Sequence, residues 1–238
     1  MSGRSAGLDL VKWLAMLTMV VDHLRYLWPA ADGLFVVGRL AFPLFCLAIA
    51  VNVARSRPDA PFTPGNARYL AWMLAFSVIS EAPYRWLDNA THTFNVMLTL
   101  TLGLLVAWGA HQRPARYLGM GAALLAALVG ERLMYGLPGV LLPAACLLAL
   151  QRGGALWLLP CALAMAGNLT NSWLLGHLWQ PFTLTVLAIA ALAPPLGERL
   201  RRYGHWRVPP VGRWGYAFYP LHLLVIKGLL LWAATPGD

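Results

Sequence analysis

Charged side chains are scarce in this sequence. They make up 11% of its 238 residues, against about 25% in an ordinary soluble domain, while hydrophobic residues make up 59%. So few charges cannot coat a water-facing surface, which excludes a soluble globular domain and leaves lipid to meet the apolar exterior. Acids are the scarcer sign: nine Asp and Glu stand against eighteen Lys and Arg, a net charge of +9. In a soluble protein that balance would suggest nucleic acid; here the placement of the cations matters more than their sum, and no nucleic-acid partner is expected. The three cysteines, Cys46, Cys146 and Cys161, each lie inside an apolar run. That excludes a disulfide framework, and their spacing fits no metal motif, so no metal is expected. The strand-like alternation that a β-barrel needs is also missing. Met1 to Gly7 is short and polar, with no small-residue cleavage site after the first apolar run, so no cleavable signal peptide is expected.

What the sequence does have is long apolar runs. They lie near 9–28, 34–54, 68–87, 94–111, 116–134, 136–151, 154–173, 178–196 and 213–233; a span needs about 20 residues to cross about 30 Å of hydrocarbon. The run at 136–151 is short and holds Pro138 and Pro143, so it could be tilted, broken or re-entrant, and the count of nine carries a range of eight to ten. Many of the tryptophans lie near run ends (Trp28, Trp86, Trp108, Trp173, Trp179, Trp232), as interfacial anchors do. The longest connections are 55–67 and 197–212, and no internal repeat stands out. The fold class expected is all-α: a polytopic integral membrane helical bundle of about nine transmembrane helices, forming one domain over 1–238.

Cation placement sets the expected topology. Arg4 and Lys12 open the chain; Arg55, Arg57 and Arg68 fill the second loop, Arg113 and Arg116 the fourth, Arg152 the sixth, and Arg199, Arg201, Arg202, Arg207 and Arg213 the eighth. Every even loop is basic. This puts the N-terminus on the cytoplasmic side and, with nine spans, the C-terminus outside, in a protein expected to be multi-pass in the inner membrane of a bacterial cell. The cluster at 199–207 could bind phosphates such as those of coenzyme A, but the positive-inside rule accounts for it without a ligand.

Ionisable groups inside spans cost about 2.5–3.5 kcal/mol each at a helix centre, and they mark functional sites by default. This chain has several: Asp22, His23 and Arg25 in the first run, Arg39 in the second, Glu81 and Arg85 in the third, Glu131 and Arg132 in the fifth, and His222 in the ninth. Asn95 opens the fourth, and Asn168 and Asn171 close the seventh. His23 lies fifteen residues past Leu8, about 22 Å along a helix, and so sits in the outer half of the membrane. Helix direction puts Arg39, Glu81, Asn95, Glu131 and Asn168 at that same depth. Local readings compete with a shared site. Glu81 and Arg85 are at i,i+4 and could pair within one helix. Arg25 and Arg132 suit interface anchors, Asp9 and Lys12 suit a structural pair, and a lone His222 suits a packing residue. Asn168-Leu169-Thr170 is a chance glycosylation match. Asp22 and His23 point about 100° apart, so Asp22 need not orient His23 and could face Arg39.

The opening Leu8-Asp9-Leu10-Val11-Lys12-Trp13-Leu14-Ala15-Met16-Leu17-Thr18-Met19-Val20-Val21-Asp22-His23-Leu24 resembles the first helix of the TraX family, the conjugative pilin acetylation proteins. Four segments follow in matching order: Gly38-Arg39-Leu40-Ala41-Phe42-Pro43-Leu44-Phe45-Cys46, Ser80-Glu81-Ala82-Pro83-Tyr84-Arg85, Phe94-Asn95-Val96-Met97-Leu98-Thr99-Leu100 and Phe218-Tyr219-Pro220-Leu221-His222-Leu223. Tyr135-Gly136 with Gly139-Val140-Leu141-Leu142 is a weaker sixth. The resemblance, distantly shared with membrane acyltransferases, implies N-acetylation of a pilin N-terminus with acetyl-CoA as co-substrate. The acceptor could instead be another peptide, a small amine or a sugar.

On that reading His23 is the candidate base. Arg39 or Asn95 would donate to the oxyanion, and Asp22 or Glu81 would hold the acceptor's ammonium. Arg85, Tyr219 and His222 complete the candidate substrate-binding set. Direct transfer and a route through acetyl-histidine both remain open. A transporter would also bury charge, but transporters often show inverted repeats, and the Asp-His and Arg-x-x-x-Pro-Leu-Phe helices have no second copy in the sequence.

Overall fold

Helix α1 (Ala6–Leu24) shows how the sequence builds this protein. Ser5 caps it by accepting from the Leu8 N–H, and Asp9 lies in the first turn, where a carboxylate complements the helix dipole. Leu8, Val11, Ala15, Met16 and Met19 are buried at helical spacing; Asp22 and His23 continue that inward stripe by one more turn. The computed structural model describes residues 5–202 and 208–234. Arg4 and Arg207, both used in the charge reading, lie outside the described residues.

Among the described residues the regular structure is helical, with one isolated bridge between Phe94 and Leu133. After α1 come α2 (Asp32–Gly38), α3 (Ala41–Ala54), α4 (Pro64–Ile79), α5 (Glu81–Leu87), α6 (Val96–His111), α7 (Arg116–Leu128), α8 (Gly136–Arg152), α9 (Leu158–Asn168), α10 (Ser172–Gly176), α11 (Pro181–Arg202) and α12 (Trp214–Ala234). Among the described residues three helical runs are long and apolar enough to cross a membrane: Asp32–Ala54, Pro181–Arg202 and Trp214–Ala234. Val96–His111, Gly136–Arg152 and Gly154–Asn168 are shorter apolar helices. The 136–151 run, suspected of being broken, is one helix with Pro143 inside it.

Helix α3 is buried almost all round, as a helix apolar on every face must be. It packs against α1, α6, α8 and α11. The outer wall is apolar too: Val78, Leu128 and Trp232 are each more than three-quarters exposed, which suits a protein whose solvent is lipid.

Two prolines break helices where polar side chains turn inward. Pro43 has no N–H, and its ring excludes the carbonyl four residues back, that of Arg39. The chain therefore passes from α2 to α3 through i→i−3 bonds, Arg39 N–H to the Val36 carbonyl at 3.1 Å and Leu40 N–H to that of Val37 at 3.2 Å. The Phe35 carbonyl is left without its helical donor and takes the Arg39 Nε–H instead, at 3.1 Å. Pro83 likewise excludes the Ile79 carbonyl four residues back, next to the α4–α5 break at Ser80.

Candidate functional site

The C-terminal ends of α1, α2, α5, α7 and α9 meet the N-terminal ends of α3, α6 and α8 around a cavity of about 1140 Å³. Asp22, His23, Arg39 and Tyr219 line it. The basic loops lie at the opposite end of the same helices: α3 begins two residues after Arg39 and is capped by Arg55, and α8 begins after Tyr135 and ends at Arg152.

Arg39, buried at 8% exposure, is held on every side. Its Nη2 donates to Asp22 Oδ1 at 2.6 Å and its Nε to Phe35 O, while Nη1 reaches Tyr135 Oη at 3.3 Å and Asn168 Oδ1 at 3.5 Å. Its guanidinium carbon also lies 3.9 Å from the Phe35 ring centroid. Asn168 is turned oxygen-first because its Nδ2 donates to the Ala164 carbonyl at 2.8 Å. Arg25, expected at the interface, is 3.6 Å from Asp22 and faces the Phe35 ring. Asp22 therefore sits between two guanidinium groups and ties α1 to the end of α2, while the Arg39 guanidinium carries the tie on to Tyr135 and Asn168.

Gly38 permits that closeness. A Cβ there would overlap the Asp22 Cβ and carboxylate, so α1 and α2 approach only because the position is bare. Gly38→Ala should push the helices apart and destabilise the protein by about 1–3 kcal/mol, with any activity of the cavity falling alongside. Gly121→Ala, where a Cβ meets nothing within 4 Å, is the control; equal thermal midpoints for the two variants would remove the packing role of Gly38.

The geometry around His23 fixes its tautomer. Its Nδ1 lies 2.9 Å from the Met19 carbonyl, which can only accept, so Nδ1 carries the hydrogen. His222 is fixed in the same way by the Phe218 carbonyl at 3.0 Å, so its Nε2 is a lone pair, and it points at His23 Nδ1 from 3.0 Å. His23 Nε2 is left unprotonated and free to act as a base. The chain thus backs His23 with a second imidazole 199 residues away.

The other sequence candidates form a separate group. Asn95 caps α6 by accepting from Met97 N–H at 3.0 Å, and its Nδ2 donates to the Ser77 carbonyl at 2.7 Å and to Glu81 Oε2 at 2.6 Å. Both amide hydrogens are used, and Asn95 does not line the cavity. Glu81 also accepts from the Asn95 N–H and from Arg85 Nε, the latter at 2.7 Å as the i,i+4 pair. Glu81, Arg85 and Asn95 therefore clamp α5 to α6 beside the cavity, with their polar atoms facing one another.

Tyr135 is the residue the motifs undervalued. Its φ is 65°, in the left-handed region where a bulky side chain costs about 1–2 kcal/mol per residue; such strain clusters at functional sites. The unusual backbone lays the ring flat on Phe42, with centroids 4.0 Å apart, and carries the hydroxyl to Arg39. That hydroxyl accepts from Arg39, which leaves its own hydrogen to donate elsewhere. Tyr84, whose hydroxyl meets Thr91 and Thr93 at 2.8 and 2.9 Å, and Asp88, which accepts from Tyr26 at 3.0 Å, complete a polar rim.

A family model described as TraX protein matches residues 7–230. Protein TraX of Escherichia coli is 27% identical over 231 residues, an alignment covering 94% of this chain and 87% of that relative. No solved structure matches the chain.

Proposed function

Because the chain belongs to the TraX family, we propose that it is a membrane-embedded acetyltransferase that moves the acetyl group of cytoplasmic acetyl-CoA to an amine, a pilin N-terminus, at the outer side of the inner membrane. On this reading nine spans cross the bilayer, the N-terminus is cytoplasmic and the cavity opens away from the basic loops. The resemblance of the Asp-His, Arg-x-x-x-Pro and Tyr-Pro-Leu-His segments supports the chemistry. The observation that carries it is the pair of imidazoles, which leaves His23 Nε2 as an unprotonated nitrogen on a cavity wall beside a buried guanidinium.

The acceptor ammonium gives one proton to water on entry, with Asp22 or the Asp88 rim attracting the cation beforehand. The free amine attacks the thioester carbonyl, so a C–N bond forms while His23 Nε2 takes the second proton, help worth about 10²–10⁴-fold. The resulting imidazolium is shared through Nδ1–H with His222. Arg39 and the Tyr135 O–H donate to the oxyanion, a contribution of about 3–4 kcal/mol when preorganised. The C–S bond then breaks and His23 returns its proton to the thiolate, giving amide and coenzyme A. Asn95, its donors committed, supports the wall.

The test is purified protein in nanodiscs with acetyl-CoA and a synthetic pilin N-terminal peptide. The peptide should gain the mass of one acetyl group at its α-amine while an equal amount of thiol appears. No transfer to that peptide or to simple amines, together with solute flux in proteoliposomes, would favour a transporter instead.

A further inference from the structure

A second cavity, of about 360 Å³, begins at the basic end of the bundle and ends against the first. Its mouth has Lys12, Asn52 and Arg213; its length is mostly apolar, with Met16, Ala48 and Leu100 among the lining residues. Met19, Phe45, Val96 and Tyr219 line both cavities, so the two spaces adjoin across these side chains. We propose that this second cavity seats the phosphopantetheine arm of coenzyme A, with phosphate on Lys12 and Arg213 at the mouth and the thioester delivered past Tyr219 to His23. The proposal rests on acyl-CoA being the donor.

Length supports this occupant. Lys12 and His23 lie on one helix, eleven residues apart, about 16 Å at 1.5 Å per residue. The arm, with two amides and a terminal thiol, is as long as about four extended residues, roughly 14 Å. Phosphate held at Lys12 therefore puts the sulfur within side-chain reach of His23. A shorter ligand held at the mouth would stop below Met19.

Charge and rigidity support it too. Arg213 has no carboxylate partner among the described residues. Lys12 is 3.9 Å from its nearest carboxylate, Asp9, which also accepts from the Val211 N–H at 3.2 Å. Arg55, capping α3 three residues past Asn52, adds a third cation near the mouth. The segment before Arg213 is pinned to α1 by the Trp13 Nε1 donation to the Pro209 carbonyl at 3.0 Å and by the Trp13–Trp214 ring contact at 5.4 Å. Arg213 is therefore placed by the fold instead of trailing from a loose loop. Fixed cations ending an apolar tunnel suit an anionic head on a weakly polar arm.

The probe is desulfo-coenzyme A, which binds without reacting, titrated calorimetrically into the full chain in phosphatidylcholine nanodiscs. Arg213→Ala and Lys12→Ala should each weaken it about ten- to a hundredfold, and Arg213→Lys should recover part of the loss. Pantetheine, which has the arm without the phosphates, should bind parent and variants alike. Unchanged affinity in both alanine variants overturns the proposal, as does equal loss of pantetheine. Tightly held phospholipid that shuts out desulfo-coenzyme A also overturns it, by giving the tunnel to lipid. Arg213-dependent binding without acetyl transfer leaves the seat standing and removes the acetyltransferase. Transfer with Arg213-independent binding does the reverse.

Discussion

His23→Ala should cut acetyl transfer by about 10²–10⁴-fold, the contribution of a positioned base, while the protein inserts and purifies as the parent does. His23 is only half-buried and lines an open cavity, so truncation enlarges existing space and leaves no sealed void in the core. The His222 partnership sharpens the expectation. His222→Ala keeps the base but removes the lone pair that supports its imidazolium, so its loss should be smaller, and the double variant should be no worse than His23→Ala alone. Peptide acetylation and thiol release, measured on monodisperse protein of known concentration, check both. Parental rates in His23→Ala would remove His23 as the base; fully additive losses would mean that the two imidazoles act independently.

Depth along a helix could be read from the sequence, whereas direction around it could not. Counting residues from Leu8 puts His23 in one half of the membrane, and counting along the second run brings Arg39 to the same level; the structure has Asp22 and Arg39 in contact there. The same count puts Asn95 and Glu81 at that level, yet they face each other beside the cavity, because nothing in one sequence specifies which neighbour a helix turns towards. His222 illustrates the limit. A histidine near the C-terminus carries no local sign of a partner on the first helix, and tertiary packing alone brings the rings together.

The helical architecture was easier to read, since runs that must hide their backbone in lipid have almost no alternative to helix. The breaks at Arg39 and Ser80 were also within reach, each lying three or four residues before a proline. Tyr135 was not. A left-handed tyrosine contradicts the propensity rules, and its place before Gly136 was its only signal.

Asp22→Ala should be among the most destabilising single changes in the chain. It strands the buried Arg39 guanidinium beside Arg25 with no carboxylate between them, and breaking one side of a buried pair costs about 3–5 kcal/mol. Tyr135 and Asn168, at 3.3 and 3.5 Å, are neutral and too distant to replace the 2.6 Å ion pair. Asp22→Asn should fall between, keeping an oxygen for Nη2 but losing the charge. Because the penalty comes from the stranded cation, Asp22→Asn combined with Arg39→Gln should be more stable than Asp22→Ala alone, even though it removes both charges. Thermal unfolding of the four proteins in the same nanodiscs distinguishes the outcomes. An Asp22→Ala midpoint equal to the parent's would mean that apolar contacts alone hold α1 against α2, with the ion pair serving chemistry only. Recovery in the double variant without recovery of acetyl transfer would separate the two roles of the pair: its charges balance each other for stability, while the guanidinium is retained for the oxyanion.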